Sequence, residues 1–323
     1  MARYLITGIA GFIGSSLAHA LVAQGHHVQG VDNLSTGNLE NLSDIWHAIS
    51  FQEMDLQDAT GLKFACEGVD YVLHQAALAS VPRSVKDPVT SHQSNINGTL
   101  NLLLAARDAG VRRIVYAASS SAYGDQPTQP KQEDMLPRPL SPYAVQKLTC
   151  EYYIQSFHQT YGLEGICLRY FNIFGPRQAA DSPYSGVIAQ FIYQMMAGVT
   201  PTIFGDGLTS RDFNYIDNAV SANLLACCAP SEVATGRVFN IGTGKSHTLN
   251  EIYSAIACQI NFPGKPNYAS PREGDIKHSL ADISRATCEL GYQPKAQFHE
   301  GLRKTVAWYL EEKAKKQTVG VSR

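Results

Sequence analysis

Short apolar runs alternate with longer amphipathic stretches through the first half of the chain. The runs are Arg3–Thr7, His27–Asp32, Tyr71–His74 and Arg113–Ala118. Stretches with helical spacing of apolar residues, such as Ile13–Gln24 and Asn97–Ala109, lie between them. A repeat of strand, helix and strand needs crossover connections, so the pattern predicts an α/β fold with a parallel sheet and helices on both faces. Gly165–Tyr170 and Gly236–Ile241 predict two further strands.

Three glycines lie between the first predicted strand and the first predicted helix, in the segment Gly8-Ile-Ala-Gly11-Phe-Ile-Gly14. Glycines at these places allow a tight turn, close approach of the backbone to a pyrophosphate, and close packing of the helix on the strand. The helix N-terminus then offers free N–H groups and a partial positive charge to phosphates. The position of this turn therefore predicts a dinucleotide site in a doubly wound, Rossmann-type domain.

The second predicted strand ends at Asp32, where a carboxylate can bind the hydroxyls of the adenosine ribose. A carboxylate at this place repels a 2′-phosphate, so the sequence predicts NAD rather than NADP as the cofactor. The alternative is that Asp32 only begins the turn Asp32-Asn-Leu-Ser-Thr-Gly37.

Prolines and glycines interrupt the chain after about Asn172, which predicts a smaller, mixed substrate-binding part built from short segments. We expect residues 1–171, with about 212–242, to form the NAD-binding domain. Residues 172–211 and 243–323 then form the substrate domain. Within the second part, Thr248-Leu-Asn-Glu251 has the pattern of a capping box and predicts the start of a helix.

Composition excludes several classes of protein. The chain has 323 residues, of which 44% are hydrophobic and 17% charged, and its formal charge is −2, so nothing favours nucleic acid or a membrane surface as a partner. Seven cysteines without a CxxC pair are typical of reduced thiols. Glycines interrupt the apolar N-terminus, and no apolar stretch is long enough for a membrane helix, so we expect a cytoplasmic protein. We predict no metal site.

A tyrosine and a lysine are spaced for acid–base chemistry. Ser141-Pro142-Tyr143 has a serine cap and a proline at the first helical position, which predicts a helix start. Tyr143 and Lys147 are then one turn apart on the same helical face. A phenol with a pKa near 10 is too weak a base at neutral pH, but a nearby ammonium and a positive nicotinamide ring favour the phenolate. A Tyr and a Lys at this spacing are often purely structural.

Hydroxyl groups follow the strand that begins at Arg113, in the segment Ser119-Ser-Ser-Ala-Tyr-Gly124. The carboxyl ends of parallel strands border the crevice where ligands bind in such sheets. A serine here can hydrogen-bond a substrate hydroxyl that loses its proton, although three serines also suit a polar turn.

These motifs together resemble the extended short-chain dehydrogenase/reductases. More narrowly, the chain resembles UDP-hexose 4-epimerases, especially those that act on N-acetylated sugars, over roughly residues 3–310. Further matching segments are His74-Gln-Ala-Ala77, Asn95-Ile-Asn-Gly-Thr99, Arg169-Tyr-Phe-Asn172, Phe204-Gly-Asp-Gly207, Ser210-Arg-Asp-Phe-Asn-Tyr-Ile-Asp217 and Arg272-Glu-Gly-Asp275.

The resemblance implies roles for individual residues. Ser119 corresponds to the catalytic hydroxyl, Tyr143 to the base, and Lys147 to its partner, which also binds the nicotinamide ribose. The implied cofactor-binding residues are Gly8, Gly11, Phe12, Ile13, Gly14, Asp32, Asn33, Ser35, Thr36, Gly37, Asp55, Leu56, Gln75, Ala76, Ala77, Asn95, Ala117, Tyr143, Lys147 and Tyr170. The implied substrate-binding residues are Ala79, Ser80, Ser120, Ser121, Asn172, Val187, Thr202, Phe204, Arg211, Asn240, Arg272, Asp275 and Ser279.

The reaction implied by the resemblance is reversible oxidation at one sugar carbon. Tyr143 takes the proton of the 4-hydroxyl while hydride leaves carbon 4 for NAD. The 4-keto sugar turns over in the pocket, and the hydride returns to its opposite face. Related dehydratases and decarboxylases need an acidic residue where this chain has Ser120 and Ser121, so those reactions are disfavoured.

Two positions bear on the sugar. Epimerases restricted to non-acetylated hexoses resemble one another in a tyrosine where this chain has Ser279, and they tend to have a lysine where it has Ala79. Small residues at both places, with hydroxyls at Ser80, Ser120 and Ser121, favour an N-acetylated sugar. A uronic acid remains an alternative, with Arg83 as a partner for its carboxylate, and so does an oxidoreductase that releases the keto sugar.

The resemblance also implies a homodimer. The helices at about Ile96–Ala109 and Tyr143–Tyr161 correspond to those that pair two subunits through a four-helix bundle in this family.

Overall fold

The computed structural model describes residues 1–180, 186–271 and 276–321. Its strands, in chain order, are β1 (Arg3–Thr7), β2 (His27–Asp32), β3 (Ile49–Glu53), β4 (Tyr71–His74), β5 (Arg113–Ser119), β6 (Glu164–Tyr170), β7 (Ile173–Phe174), β8 (Thr202–Phe204), β9 (Ser210–Arg211), β10 (Asn214–Tyr215), β11 (Val238–Ile241), β12 (His247–Thr248), β13 (Asn267–Ala269) and β14 (His278–Ser279). Its helices are α1 (Phe12–Ala23), α2 (Ala59–Cys66), α3 (Val81–Lys86), α4 (Pro88–His92), α5 (Gly98–Asp108), α6 (Pro142–Tyr161), α7 (Val187–Met196), α8 (Ile216–Cys228), α9 (Ser231–Ala234), α10 (Leu249–Ile260), α11 (Ser284–Leu290) and α12 (Phe298–Val321). Short 3-10 turns cover Leu39–Ala48 and Ser120–Tyr123, and a π-helical turn covers Gln93–Asn97.

A seven-stranded parallel sheet forms the centre of the molecule, in the order β11-β6-β5-β4-β1-β2-β3. The prediction of a doubly wound α/β fold is confirmed. The chain builds outward in one direction from β1 and in the other from β4. The carboxyl ends of β1 and β4 therefore flank the switch point of the sheet, where ligands bind in open α/β folds.

Helices cover both faces of this sheet because alternate residues of its strands point to opposite sides. Ile6 of β1 packs with α1, α8 and α11 in one apolar core. Its neighbour Leu5 packs with α2, α5 and α6 in another. Both side chains are completely buried.

One strand of the sheet was not predicted from the apolar pattern. β3 reads Ile-Ser-Phe-Gln-Glu, and its last two residues, Gln52 and Glu53, are exposed. β3 lies at the edge of the sheet and pairs only with β2. An edge strand with a polar sequence lacks the continuous apolar run that identifies the central strands.

The rest of the molecule is built from short strands and a third apolar core. β9 pairs with β12 and β14, β7 pairs with β10, and β8 pairs with β13. Residues of α7, α10 and α12 pack together in the core beneath these pairs. The predicted capping box is confirmed, since Thr248 Oγ1 accepts from the Glu251 N–H and the Glu251 carboxylate accepts from the Thr248 N–H.

In the part of the chain that the structure describes, no helix combines the length and the apolar composition needed to cross a bilayer.

Candidate active site

A cavity of about 250 Å³ opens at the carboxyl ends of β1, β2 and β4, beside the first turn of α1. Gly8 has a positive φ of 71°, a conformation that a side chain would strain. A Cβ on Gly14 would lie 2.0 Å from the carbonyl oxygen of Gly8, so the strand and helix can approach this closely only with glycine. The N–H groups of α1 are thus left at the floor of a cradle that suits a pyrophosphate.

Most residues predicted to bind the cofactor line this cavity. They are Gly8, Gly11, Phe12, Ile13, Gly14, Asp32, Asn33, Ser35, Thr36, Asp55, Leu56, Gln75, Ala76 and Ala77. Ala79, which was predicted to lie at the sugar, also lines it. Val31, Met54, Leu78 and Ser94 line it as well and were not predicted. Met54 directly follows β3. Because that strand was not predicted from the sequence, Met54 was not predicted as a cavity residue either.

Asp32 ends β2 at the rim of the cavity, and its carboxylate is held by the backbone. The N–H groups of Ala10 and Leu34 donate to it at 3.0 and 2.9 Å. Burial raises the pKa of Asp32, while these two hydrogen bonds oppose the shift. A Cβ on Gly37 would lie 2.9 Å from both carboxylate oxygens, so Gly37 leaves the carboxylate its space. Asp32 can therefore both begin the turn and bind the adenosine ribose, so the two alternatives offered by the sequence are compatible.

We expect NAD to bind much more tightly than NADP to cofactor-free protein. The carboxylate of Asp32 repels a 2′-phosphate at the adenosine ribose. Calorimetric titration with each dinucleotide measures the ratio, and Asp32→Asn, which removes the charge, should reduce it. Equal or tighter binding of NADP by the wild type would contradict the assignment.

The buried side chain of His74 helps to fix the backbone of Ala76, a residue that lines the cavity. Thr7 Oγ1 lies 2.7 Å from His74 Nδ1 and accepts from the Ala76 N–H at 3.2 Å. On the other side, His74 Nε2 lies 2.9 Å from the Thr99 hydroxyl, which itself donates to the carbonyl of Asn95. These partners fit a neutral ring with its proton on Nε2. Burial, and secondarily the charge of Lys147, lowers the pKa of His74 to about 3.

Acid is therefore expected to destabilise the fold through His74. Its pKa is about 6.5 in an unfolded chain, so below that value the unfolded state takes up the proton and the folded state does not. Lowering the pH from 7 to 5 should cost about 2 kcal/mol at this residue. Urea unfolding gives the free energy of unfolding of the wild type and of His74→Gln at pH 7 and at pH 5. The loss between the two pH values should be larger in the wild type by this amount. Identical pH dependences would show that His74 is not the group responsible.

Some residues predicted at the cofactor have side chains that act inside the protein. Asn95 Oδ1 accepts from the Leu78 N–H at 2.8 Å, and Asn95 Nδ2 donates to Gln146 Oε1 at 2.8 Å. Asn95 therefore connects helix α6 with the loop that lines the cavity. The Tyr170 hydroxyl, similarly, accepts from Asn223 Nδ2 at 2.6 Å.

Helix α6 begins as predicted and carries the proposed acid–base pair. Ser141 Oγ accepts from the Ala144 N–H at 3.2 Å, and Pro142 occupies the first helical position. Tyr143 lies in the first turn, and its N–H donates to the buried Ser84 hydroxyl at 3.0 Å. Lys147 lies one turn further on and is buried.

Ser119, Tyr143 and Lys147 come together at the carboxyl end of β5. The Ser119 hydroxyl lies close enough to Tyr143 to lower the pKa of its phenol. Lys147 Nζ donates to the carbonyl oxygen of Ala117 at 2.8 Å and lies 4.8 Å from the centre of the Tyr116 ring. Ser119 precedes Tyr143 by 24 positions in the sequence, and the sheet places it beside the helix that carries Tyr143 and Lys147.

The pKa shifts of Tyr143 and Lys147 differ in one respect from the expectation that the lysine lowers the pKa of the tyrosine. Burial raises the pKa of Tyr143 to about 12, and the group that opposes this shift is the Ser119 hydroxyl rather than Lys147. Burial also lowers the pKa of Lys147 to about 8. The Ser119 hydroxyl is therefore the neighbour that lowers the pKa of Tyr143, while Lys147 is hydrogen bonded to the backbone of β5.

The serines predicted to meet the sugar have structural contacts of their own. Ser80 caps α3, and its hydroxyl oxygen accepts from the Arg83 N–H at 3.2 Å. Ser121 donates through both its N–H and its hydroxyl to Ser119 Oγ. Ser80, Ser120 and Ser121 are all half-buried.

Strand pairing brings two of the predicted substrate residues together and places a third beside β10. Arg211 of β9 pairs with Ser279 of β14, and Asn172 directly precedes β7, where its carbonyl accepts from the Asn214 N–H. Ser279 is 9% exposed, whereas Asn172 is exposed.

Thr202 and Phe204 lie on β8, and Val187 begins α7. Arg272 and Asp275 lie outside the described residues.

Asn240 has no polar atom left for a substrate. Its side chain is completely buried, Oδ1 accepts from the Tyr123 hydroxyl at 2.6 Å, and Nδ2 donates to the carbonyls of Lys131 and Asp282. We therefore leave Asn240 out of the proposed substrate site, because its amide connects β11 with two loops.

Comparison with protein families gives a match to the NAD dependent epimerase/dehydratase family over residues 4–242. A UDP-glucose 4-epimerase of Mycolicibacterium smegmatis is 40% identical over 95% of this chain and 98% of its own length. A UDP-N-acetylglucosamine 4-epimerase of Methanobrevibacter ruminantium, solved with UDP-N-acetylmuramic acid, is 40% identical, with a TM-score of 0.92 over 96% of this chain and 99% of that one. A UDP-glucose 4-epimerase of Thermus thermophilus, solved with NAD, is 36% identical, with a TM-score of 0.86 over 95% of this chain and 99% of that one.

Proposed function

The chain belongs to the NAD dependent epimerase/dehydratase family, and we propose that it is an NAD-dependent UDP-sugar 4-epimerase that interconverts UDP-N-acetylglucosamine and UDP-N-acetylgalactosamine. The observation that carries the reaction class is the convergence of Ser119, Tyr143 and Lys147 at the carboxyl end of β5, the strand next to β4, whose own end borders the dinucleotide cavity. The resemblance of the whole chain to UDP-sugar 4-epimerases agrees with this class.

Bound NAD would supply the redox chemistry by accepting and returning a hydride at carbon 4 of the sugar. The cradle at Gly8 and Gly14, the N-terminus of α1 and the carboxylate of Asp32 fit its pyrophosphate and adenosine ribose. Tyr143 holds and moves the proton of the 4-hydroxyl, and the neighbouring Ser119 hydroxyl lowers the pKa of its phenol. Lys147, fixed to the carbonyl of Ala117, would hold the cofactor ribose beside Tyr143. Because each group is fixed by the fold, little reorganisation accompanies the proton transfer.

The choice of an N-acetylated sugar rests on side-chain size. Ser279 and Ala79 are small where a tyrosine or lysine would fill the space beside the ring. Ala79 is exposed at the cavity, and Ser279 lies on the strand beside Arg211. We further propose that Arg211, Asn172, Arg272 and Asp275 hold the diphosphate and uridine. Arginine suits this task because its planar fork matches phosphate oxygens.

We also propose that the protein is a cytoplasmic homodimer. Helices α5 and α6 pack side by side, and each presents apolar side chains to solvent. Leu104, Val145 and Tyr152 are 37%, 47% and 55% exposed on these helices. Pairing with the same helices of a second copy would bury them in a four-helix arrangement.

Product analysis on a panel of UDP-sugars tests the proposal. Purified enzyme should equilibrate UDP-N-acetylglucosamine with UDP-N-acetylgalactosamine without net change in NADH absorbance, because the hydride returns to the sugar. Stoichiometric NADH would instead indicate an oxidoreductase that releases the keto sugar. Turnover of UDP-glucuronic acid alone would overturn the substrate assignment in favour of a uronic acid epimerase.

A further inference from the structure

The short strand that carries Ser279 is held along both of its edges. On one edge it pairs with β9, and the Asp212 N–H donates to the carbonyl of Ser279 at 2.8 Å. The opposite edge faces the loop that leads into α6, residues 124–140, where the Lys131 N–H donates to the carbonyl of Leu280 at 2.7 Å. Strand β14 therefore lies between β9 and this 124–140 loop.

The side-chain amide of Gln129, in the 124–140 loop, spans the backbone on either side of Ser279. Gln129 Nε2 donates to the carbonyl of His278 at 2.8 Å, and Gln129 Oε1 accepts from the Leu280 N–H at 3.0 Å. The orientation of the amide is fixed by these partners, because a backbone carbonyl can only accept and a backbone N–H can only donate. The amide thus takes the place that a neighbouring strand would have beside β14.

We propose that Gln129 is a positioning residue for sugar selectivity, which acts by holding the backbone on both sides of Ser279. The inference rests on the proposed function, in which the small side chain of Ser279 leaves room for an N-acetyl group. Ser279 is buried, so a movement of its backbone changes the space beside it. A binding site keeps its geometry only where the groups that support it are fixed to within about 0.5 Å. Gln129 thereby keeps the space beside Ser279 open.

Loss of these two hydrogen bonds should affect the position of β14 more than the stability of the fold. His278 is exposed and Leu280 is half-buried, so water can replace the bonds that the amide makes to them. Tyr143 and Lys147 are hydrogen bonded to other elements, α3 and β5. The proposed acid–base pair should therefore keep its geometry when Gln129 is changed.

Two variants remove the hydrogen bonds, and a third is a matched control. Gln129→Ala removes the amide and its bulk, whereas Gln129→Met removes the amide and keeps a side chain of similar length. Gln132 carries the same amide in the same loop, but its Nε2 donates to Asp282 Oδ2 at 3.0 Å, three residues beyond Ser279. Gln132→Ala therefore leaves the bonds on either side of Ser279 intact.

Hydrogen exchange at the Leu280 amide, followed by NMR, measures how firmly the strand is held. In the wild type this N–H donates to Gln129 Oε1. Exchange should be about two- to tenfold faster in both Gln129 variants, the factor that one ordinary hydrogen bond supplies. In Gln132→Ala it should match the wild type. The thermal unfolding midpoints of all three variants should lie close together.

Steady-state kinetics with UDP-N-acetylglucosamine and UDP-glucose measures the selectivity. In both Gln129 variants, the KM for the acetylated sugar should rise about tenfold, while kcat and the KM for UDP-glucose change little. Two hydrogen bonds of ordinary strength account for a change of this size. In a Ser279→Tyr background, where the space is already filled, Gln129→Met should alter the ratio of the two KM values far less, because coupled neighbours are not additive.

The outcomes separate this inference from its rivals. Equal changes for both sugars, or an unchanged ratio with faster exchange at Leu280, would overturn it and leave Gln129 a purely structural residue. The same loss of selectivity in Gln132→Ala would overturn it as well, since the whole loop would then be responsible. If Gln129→Ala does not fold, Gln129→Met decides the question.

A failure of the proposed function is recognised separately. It would appear as a wild type that epimerises neither sugar. Calorimetric titration of the NAD-loaded protein with each UDP-sugar needs no turnover, so the ratio of the two dissociation constants still decides the role of Gln129. An unchanged ratio in Gln129→Met would overturn that role, and a ratio shifted about tenfold against the acetylated sugar would support it.

Discussion

Replacing Tyr143 by Phe is expected to lower the rate of epimerisation by about 10²–10⁴, the usual contribution of a positioned acid–base group. The substitution removes one oxygen and leaves the ring, so the packing at the start of α6 is kept. It deletes the group that we propose takes the proton of the 4-hydroxyl, which is also the group whose pKa the Ser119 hydroxyl lowers. NAD binding and the unfolding midpoint should stay close to those of the wild type.

Rates with UDP-N-acetylglucosamine, calorimetry with NAD and thermal unfolding together check this expectation. Tyr161→Phe is the matched control, since Tyr161 lies at the other end of the same helix and is 52% exposed. It should retain the wild-type rate. A Tyr143→Phe enzyme within about threefold of wild type, far less than such a group normally contributes, would refute the role of Tyr143.

Ser279→Tyr is expected to lower the specificity constant for UDP-N-acetylglucosamine by about ten- to a hundredfold. Ser279 is only 9% exposed and its strand is fixed by pairing with Arg211, so a tyrosine ring at this position would have to enter the proposed sugar site. Overpacking a filled site costs about 1–3 kcal/mol, and each 1.4 kcal/mol is about tenfold in rate. UDP-glucose lacks the N-acetyl group and should lose much less.

The test is the ratio of specificity constants for the two sugars within one variant, so that a general loss of folded enzyme cancels. Ser279→Ala removes the hydroxyl without adding bulk and thus separates hydrogen bonding from size. Should both sugars lose equally, or the acetylated sugar lose nothing, Ser279 would not be the gate and the assignment to acetylated sugars would lose its main basis.

Much of the fold and part of the site depend on local features, and the sequence alone predicts these correctly. The glycines between β1 and α1, the cap at Ser141 and the capping box at Thr248 act over a few residues of chain. The central strands bury both faces and therefore appear as apolar runs. β3 was not predicted because it lies at the edge of the sheet and pairs only with β2. An edge strand does not need a continuous apolar run.

The partners of the polar side chains were decided by the tertiary structure. The Tyr123 hydroxyl meets Asn240 across 117 residues of chain, which makes the Asn240 amide structural, and Thr7 meets His74 across 67. The sequence identified Ser119, Tyr143 and Lys147 by motif, but not that Ser119 rather than Lys147 opposes the burial of Tyr143. Local sequence determines where a helix or strand begins, because caps and turns are local. A hydrogen bond between distant segments depends on how the sheet brings them together, which only the folded chain specifies.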